Sequence, residues 1–194
     1  MSMKKIIQAI QANKRFLIST HVNPDPDALC SELALAVYLR SLGKTVAIIN
    51  DQAVPSRFQF LSGIRRVKRY QENKKVAYDV AIVVDCGELD RIGRVGHLIQ
   101  KDKALINIDH HITNDLFGSI NLVQPKASST AEVLYELLLK ARCSFAKNLA
   151  IHLYTGIVTD TGSFRYENTT ARTHAIASEL LKFNFSVSQL YKKL

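Results

Sequence analysis

Short uninterrupted apolar runs alternate along this chain with longer stretches of helical period. Phe16-Leu17-Ile18, Val80-Ala81-Ile82-Val83-Val84 and Ala104-Leu105-Ile106-Asn107-Ile108 are of strand length with little polar alternation, as in strands covered on both faces. The pattern predicts strands at about 16–20, 45–50, 79–84 and 104–108, and a short extended piece at 117–122. Helices are predicted over 28–41, 128–141, 146–157 and near 170–182, with a helix or turn region over 55–74. In the first helix Leu29, Leu33, Ala36 and Val37 recur at i, i+4, i+7 and i+8, with Asp27 as expected N-cap and Gly43 as the stop. Strands alternating with helices imply an α/β fold: a doubly wound, mainly parallel five-stranded sheet flanked by helices.

A chain of 194 residues is long enough for one domain with a substantial core, and 47% hydrophobic with 22% charged residues is ordinary for a soluble globular protein. No apolar stretch approaches the ~20 residues a membrane-spanning helix needs. The start, Met1-Ser2-Met3-Lys4-Lys5, has no apolar core or cleavage site behind it, so a cytoplasmic protein is expected. Cys30, Cys86 and Cys143 are odd in number and widely spaced, which favours reduced thiols acting as small hydrophobes. The excess of 26 basic over 17 acidic residues, net +9, steers anionic partners without naming one. The run Arg65, Arg66, Lys68, Arg69, Lys74 and Lys75 reads as a solvated face, with a nucleic-acid backbone as its sharper alternative. His97, His152 and His174 lack ligand-like neighbours and read as structural.

The chemistry gathers where the apolar runs end. His21-Val22-Asn23-Pro24-Asp25-Pro26-Asp27 follows the first run, Asp85 the second, Asp109-His110-His111 the third, and Asp160 follows Leu153–Val158. In a parallel sheet these ends converge on one crevice. Pro24 and Pro26 disfavour helix at Asn23 and Asp25, and an extended segment would put His21, Asn23, Asp25 and Asp27 on one face. Five carboxylates brought together repel one another and take up protons unless cations sit among them. Metal is the natural solution.

Those residues resemble the DHH phosphoesterases. Asp109-His110-His111 matches the motif that names the family. The stretch from His21 to Ala28 is similar to its first motif, Val83-Val84-Asp85 to its second and Gly156–Arg165 to its fourth, while Pro125–Glu132 resembles the segment after the third. The resemblance, which runs from about residue 16 to the end, implies strand order 2-1-3-4-5 and a phosphoesterase using two-metal activated hydroxide. It implies His21, Asp25 and Asp85 on one divalent ion, and Asp27, Asp85, His110 and Asp160 on the other. Mn²⁺ is the ion the family commonly uses, and the ligand set also suits Mg²⁺ or Co²⁺. Asp109 would orient a histidine, His111 contact phosphate or protonate the leaving group, Arg165 clamp a phosphate oxygen, and Asn23 touch substrate. Arg91, in a segment similar to one after the second motif, would lie near phosphate or in a surface ion pair.

Pro26 and Cys30 stand where the family often has small residues, so Cys30 is expected to narrow the pocket or to bring oxidation sensitivity. Members normally carry a second, DHH-associated substrate-binding domain. This chain, ending at Leu194, is expected to be a single DHH domain over 1–194 without it. The Asn-Pro-Asp form of the first motif is most similar to the bacterial nanoRNases, which cleave very short oligoribonucleotides and dephosphorylate 3′-phosphoadenosine-5′-phosphate. Short RNA or a nucleotide phosphate is therefore the expected substrate, and a homodimer is allowed. The alternatives are a cyclic-dinucleotide phosphodiesterase, a RecJ-like exonuclease, an inorganic pyrophosphatase, and a nucleotide- or metal-binding module without efficient turnover.

Overall fold

The computed structural model of the protein describes residues 2–194, so of the N-terminal stretch read above only Met1 lies outside it. Its sheet has six strands in the order β3-β2-β1-β4-β5-β6, every neighbouring pair parallel. They are β1 (Arg15–Ser19), β2 (Thr45–Asn50), β3 (Val67–Arg69), β4 (Val80–Val84), β5 (Ala104–Asp109) and β6 (Ile120–Val123). Without β3 the order is the expected one. The sixth strand corrects the five-stranded expectation: only Val67 of its three residues is buried, so no period marks it.

Six α-helices accompany the sheet: α1 (Ser2–Ala12), α2 (Pro26–Ser41), α3 (Thr130–Lys140), α4 (Lys147–Asp160), α5 (Ala171–Leu181) and α6 (Val187–Tyr191). The apolar pattern did not announce α1 or α6, which bury only Ile6 with Ile10 and Leu190 respectively. Among the described residues no helix is long and apolar enough to cross a membrane. Strand alternation divides the core in two. Phe16, Ile18, Ile82 and Ile106 point toward the side on which all six helices bury their apolar residues. Leu17, Ala81, Val83 and Leu105 point the other way, against Ile92 and Val95 of a 3₁₀ stretch at Leu89–Leu98.

Right-handed crossovers explain the arrangement. The β1-to-β2 connection runs through α2 on one face, and the β4-to-β5 connection runs through Leu89–Leu98 on the other. Strand order therefore reverses between β1 and β4, and the crevice of a doubly wound sheet opens at that point. The helix beginning there is capped by Asp25, not by the expected Asp27. Asp25 has extended dihedrals and accepts from Ala28 N at 3.0 Å, with Pro26 in the first turn, where a missing N–H costs nothing. That shift moves Asp27 inside α2, where it is buried.

His152 of α4 is wholly buried, and no hydrogen-bond partner reaches either ring nitrogen in the side-chain network. Burial pushes its pKa down to about 4, opposed by the Ser62 backbone. As pH falls from about 6.5 to about 4 the unfolded chain binds a proton that folded His152 refuses, so stability is lost on the acid side. The loss reaches about 3 kcal/mol. Thermal unfolding at neutral and acid pH is expected to show a smaller acid-induced drop for His152→Leu than for the parent. Equal drops would remove His152 as the cause.

Candidate metal centre

The ends of five elements carry the acidic and imidazole groups to the crevice. His21 lies two residues beyond β1, Asp25 and Asp27 at the start of α2, Asp85 directly after β4, Asp109 at the end of β5 and Asp160 at the end of α4. Three sets have ligand atoms all within 4.8 Å of one another: His21, Asp25 and Asp85; Asp27, His110 and Asp160; and Asp85, His110 and His111. Asp85 belongs to two sets and His110 to two, so they form one cluster. His110 Nε2 is 3.3 Å from Asp160 Oδ2 and 3.8 Å from Asp85 Oδ1, and His21 Nε2 is 3.7 Å from Asp85 Oδ2.

The surroundings fix which ring atoms face inward. His21 Nδ1 lies 2.7 Å from Val22 O and His110 Nδ1 3.3 Å from Ala127 O. A carbonyl can only accept, so both rings carry hydrogen on Nδ1 and present Nε2 to the cluster. Asp109 is fully buried. Its Oδ1 accepts from His110 N at 2.8 Å and His111 Nδ1 at 2.7 Å, and its Oδ2 from Asn114 Nδ2 at 2.6 Å. Burial opposes its charge, but the bonds from His111 and Asn114 outweigh that and hold its pKa below the ordinary carboxylate range. The same hydrogen bond raises His111 to about 9. Asp109→Asn is therefore expected to bring His111 down toward its ordinary 6.5, read by an NMR pH titration of metal-free protein. An unchanged His111 midpoint would contradict the assignment of Asp109 as its orienting partner.

Asp27 shows how the chain tolerates a buried carboxylate. Its Oδ2 accepts from Thr130 N at 2.8 Å and its Oδ1 from Ala131 N at 3.1 Å. These are among the first amides of α3, which have no partner within their own helix. Even so, burial first, then Asp85, Asp160 and Asp25, push its pKa well up. Asp25 is raised by burial and Asp85. Asp160 is raised to about 6, chiefly by burial. Hard carboxylate oxygens, two imidazole nitrogens free of hydrogen and a surplus of negative charge together suit divalent cations.

Some expectations change here. Asn23 has φ 53° and is exposed, so the loop turns and does not run extended past it. His21, Asp25 and Asp27 converge, but Asn23 stands outside. No hydrogen bond joins Asn23 or Arg165 to the cluster among the described residues; Arg165 is exposed and its Nε donates to Gly162 O at 2.6 Å. Arg91 is exposed and makes no ion pair among the described residues, and its carbonyl accepts from Val22 N at 2.7 Å. Cys30 does not narrow the pocket. It is fully buried against Thr155 of α4, with a thiol pushed well up by burial and then by Asp27 and Asp25, so no reactive thiolate forms. Sequence reasoning missed Thr130, whose Oγ1 donates to Asp85 Oδ1 at 2.8 Å, and Asn114. Thr130 lies within the 125–132 segment that resembled the family, the only signal that could have found it.

Fold and site together define a class: an open α/β sheet with carboxylates and imidazoles gathered at its switch point. Residues 15–157 match the model of the DHH family, N-terminal domain, and the chain belongs to that family. It is 34% identical to the bifunctional oligoribonuclease and PAP phosphatase NrnA of Thermus thermophilus, an alignment covering 91% of this chain and 52% of that protein. It is also 34% identical to the probable bifunctional oligoribonuclease and PAP phosphatase NrnA of Streptococcus mutans, over 100% of this chain and 60% of the relative. An exopolyphosphatase-related protein from Bacteroides fragilis superposes with a TM-score of 0.93 at 28% identity, covering 99% of this chain and 59% of its own. The chain thus spans about half to three fifths of the length of these relatives.

Proposed function

We propose that the chain is the DHH domain of a metal-dependent phosphoesterase that hydrolyses short oligoribonucleotides and nucleotide phosphates such as 3′-phosphoadenosine-5′-phosphate. The observation that carries this reading is the cluster of three ligand sets joined through Asp85 and His110, in a chain similar to two relatives named as oligoribonuclease and PAP phosphatase. Residues 1–194 are read as this one domain, working in the cytoplasm, where three unpaired cysteines are at home.

His21, Asp25 and Asp85 would hold one divalent cation, and Asp27, Asp85, His110 and Asp160 a second, with Mn²⁺ as the first choice. Bound there, the pair supplies Lewis-acid activation of water and neutralises charge on the phosphoryl oxygens. The protein's own groups do the rest. Asp109 accepts from His111 Nδ1, so the ring keeps a proton there and its charged form is favoured by that hydrogen bond. His111 Nε2–H would then protonate the leaving oxygen. Its side chain is 37% exposed, which leaves it reachable by substrate. Arg165, five residues beyond Asp160, and Asn23 are kept as substrate contacts, each being exposed on a loop beside a ligand.

The test is Mn²⁺-dependent release of mononucleotide from a 5′-labelled RNA dinucleotide, beside phosphate release from 3′-phosphoadenosine-5′-phosphate. Hydrolysis of either that disappears on chelation supports the reading. Bound Mn²⁺ with neither product would favour a binding module, and an absence of bound Mn²⁺ would sink the site itself.

A further inference from the structure

The strand-end cluster leaves the other edge of the sheet unexplained. β3 pairs only with Ile48–Asn50 of β2, so the first half of β2 has no strand beside it there. The space is a groove of about 640 Å³. Its lining includes the apolar Val46, Ile48, Ile49, Val76 and Leu98 and the basic Arg40, Arg66, Lys68, Arg69, Lys74 and Lys75. No carboxylate lines it, and among the described residues none of these six cations makes an ion pair. Asp51 is held by Arg94 at 2.7 Å and feels Arg69 only as a lesser influence, and Glu72 lies outside the lining. Arg40 registers the imbalance, since burial and then the charge of Arg66 lower its pKa.

The groove continues. A second hollow of about 780 Å³ shares Tyr70, Lys74, Lys75 and Val76 with the first and adds His97, Gln100 and Lys103. The two hollows together thus bring seven cations and apolar side chains to one region, with the half-exposed Tyr70 common to both. None of the residues of the metal cluster lines either hollow.

We propose that this groove binds the phosphodiester backbone of single-stranded RNA, at a site separate from the metal cluster. Several unpaired cations without a carboxylate among them suit a polyanionic backbone, and apolar and aromatic surface accepts sugars and bases without regard to sequence. An acidic peptide matches the charge but not the edge. Thr45 N bonds Lys14 O on the β1 side, so by alternation Val46 faces the open edge. Its carbonyl is already taken by Arg40 Nη2 at 3.2 Å, which leaves an incoming strand almost no ladder to join.

The measurement is fluorescence anisotropy of a labelled oligouridylate with the full chain in EDTA, which silences hydrolysis and empties the cluster of metal. Binding is expected to weaken about tenfold or more in Arg66→Gln/Lys68→Gln/Lys75→Gln. The slope of log affinity against log salt should fall by about 2, since each lost phosphate contact on a single strand removes about 0.7. Lys74→Gln/Lys75→Gln, both on an exposed loop, is the control against misfolding and should weaken binding in the same direction. No binding in EDTA, unchanged affinity in both variants, or displacement by polyglutamate as readily as by unlabelled oligouridylate would each overturn the proposal. Mn²⁺-dependent cleavage of the dinucleotide is expected to be unchanged in Lys74→Gln/Lys75→Gln, so the groove and the phosphoesterase reading stand or fall separately.

Discussion

Asp85→Asn is expected to remove phosphoester hydrolysis almost entirely while making the metal-free protein more stable. Asp85 is 2% exposed, shares a ligand set with His21 and Asp25 and lies 3.8 Å from His110 Nε2, so one neutral side chain weakens both proposed cation sites. Several kcal/mol of transition-state charge stabilisation are at stake, and each 1.36 kcal/mol is tenfold in rate, so activity should fall by about three decades. The fold should survive. Asp85 has φ 52°, a conformation that asparagine tolerates as well as aspartate does, and an amide oxygen can still accept from Thr130 Oγ1. In metal-free protein the same change relieves the repulsion that Asp85 exerts on Asp25, Asp27 and Asp160. For a domain of this size each kcal/mol relieved raises Tm by about 2–4 °C. Kinetics with Mn²⁺ and thermal unfolding in EDTA check both halves. A variant that is inactive and also less stable without metal would show that Asp85 is needed for the fold itself.

The pH dependence carries the same signature. Asp160 has a folded pKa of about 6, above its ordinary 3.8, so between those values the folded state binds more protons than the unfolded. Its contribution to stability is then lost as pH rises through that window. Metal binding runs the opposite way, because ligands must shed their protons to bind.

How much of this was legible depended on how each residue reports itself along the chain. β1, β4 and β5 were plain because a strand buried on both faces becomes an unbroken apolar run, and the candidate ligands were proposed from where those runs stop. β3 was invisible: three residues, two of them exposed cations, make an edge strand by pairing with β2 and leave no pattern of their own. The N-cap was misplaced by two residues because Asp25 and Asp27 are chemically equal in sequence, and only the dihedrals of Asp25 decide between them. Thr130 and Asn114 were missed for a different reason. Each acts through another site residue, Thr130 reaching Asp85 across 45 residues and Asn114 reaching Asp109 from the far side of a loop, and no spacing rule reports such a contact.

Gly156→Ala is expected to reverse the usual sign of that substitution. In the interior of a helix it ordinarily stabilises by about 1 kcal/mol, since glycine loses more backbone freedom on folding. Gly156 lies well inside α4, where α4 crosses α2 and α3. A methyl group there would collide with Asp27 Oδ1 and stand 2.6 Å from Ala131 Cβ. Neither neighbour can give way cheaply. The Asp27 carboxylate is pinned by the Thr130 and Ala131 amides, and the Ala131 Cβ moves only with the backbone of α3. The helices must therefore separate, or Asp27 must release the amides that offset its burial. Overpacking alone costs about 1–3 kcal/mol, and a buried carboxylate deprived of its donors adds to that. Gly156→Ala should lower Tm by several degrees and also weaken Mn²⁺ binding, because Asp27 shares a ligand set with His110 and Asp160. Gly156→Ser, slightly larger again, should be worse on both counts. A Gly156→Ala protein at least as stable as its parent, with Mn²⁺ affinity intact, would show that α4 does not press on Asp27 in this way.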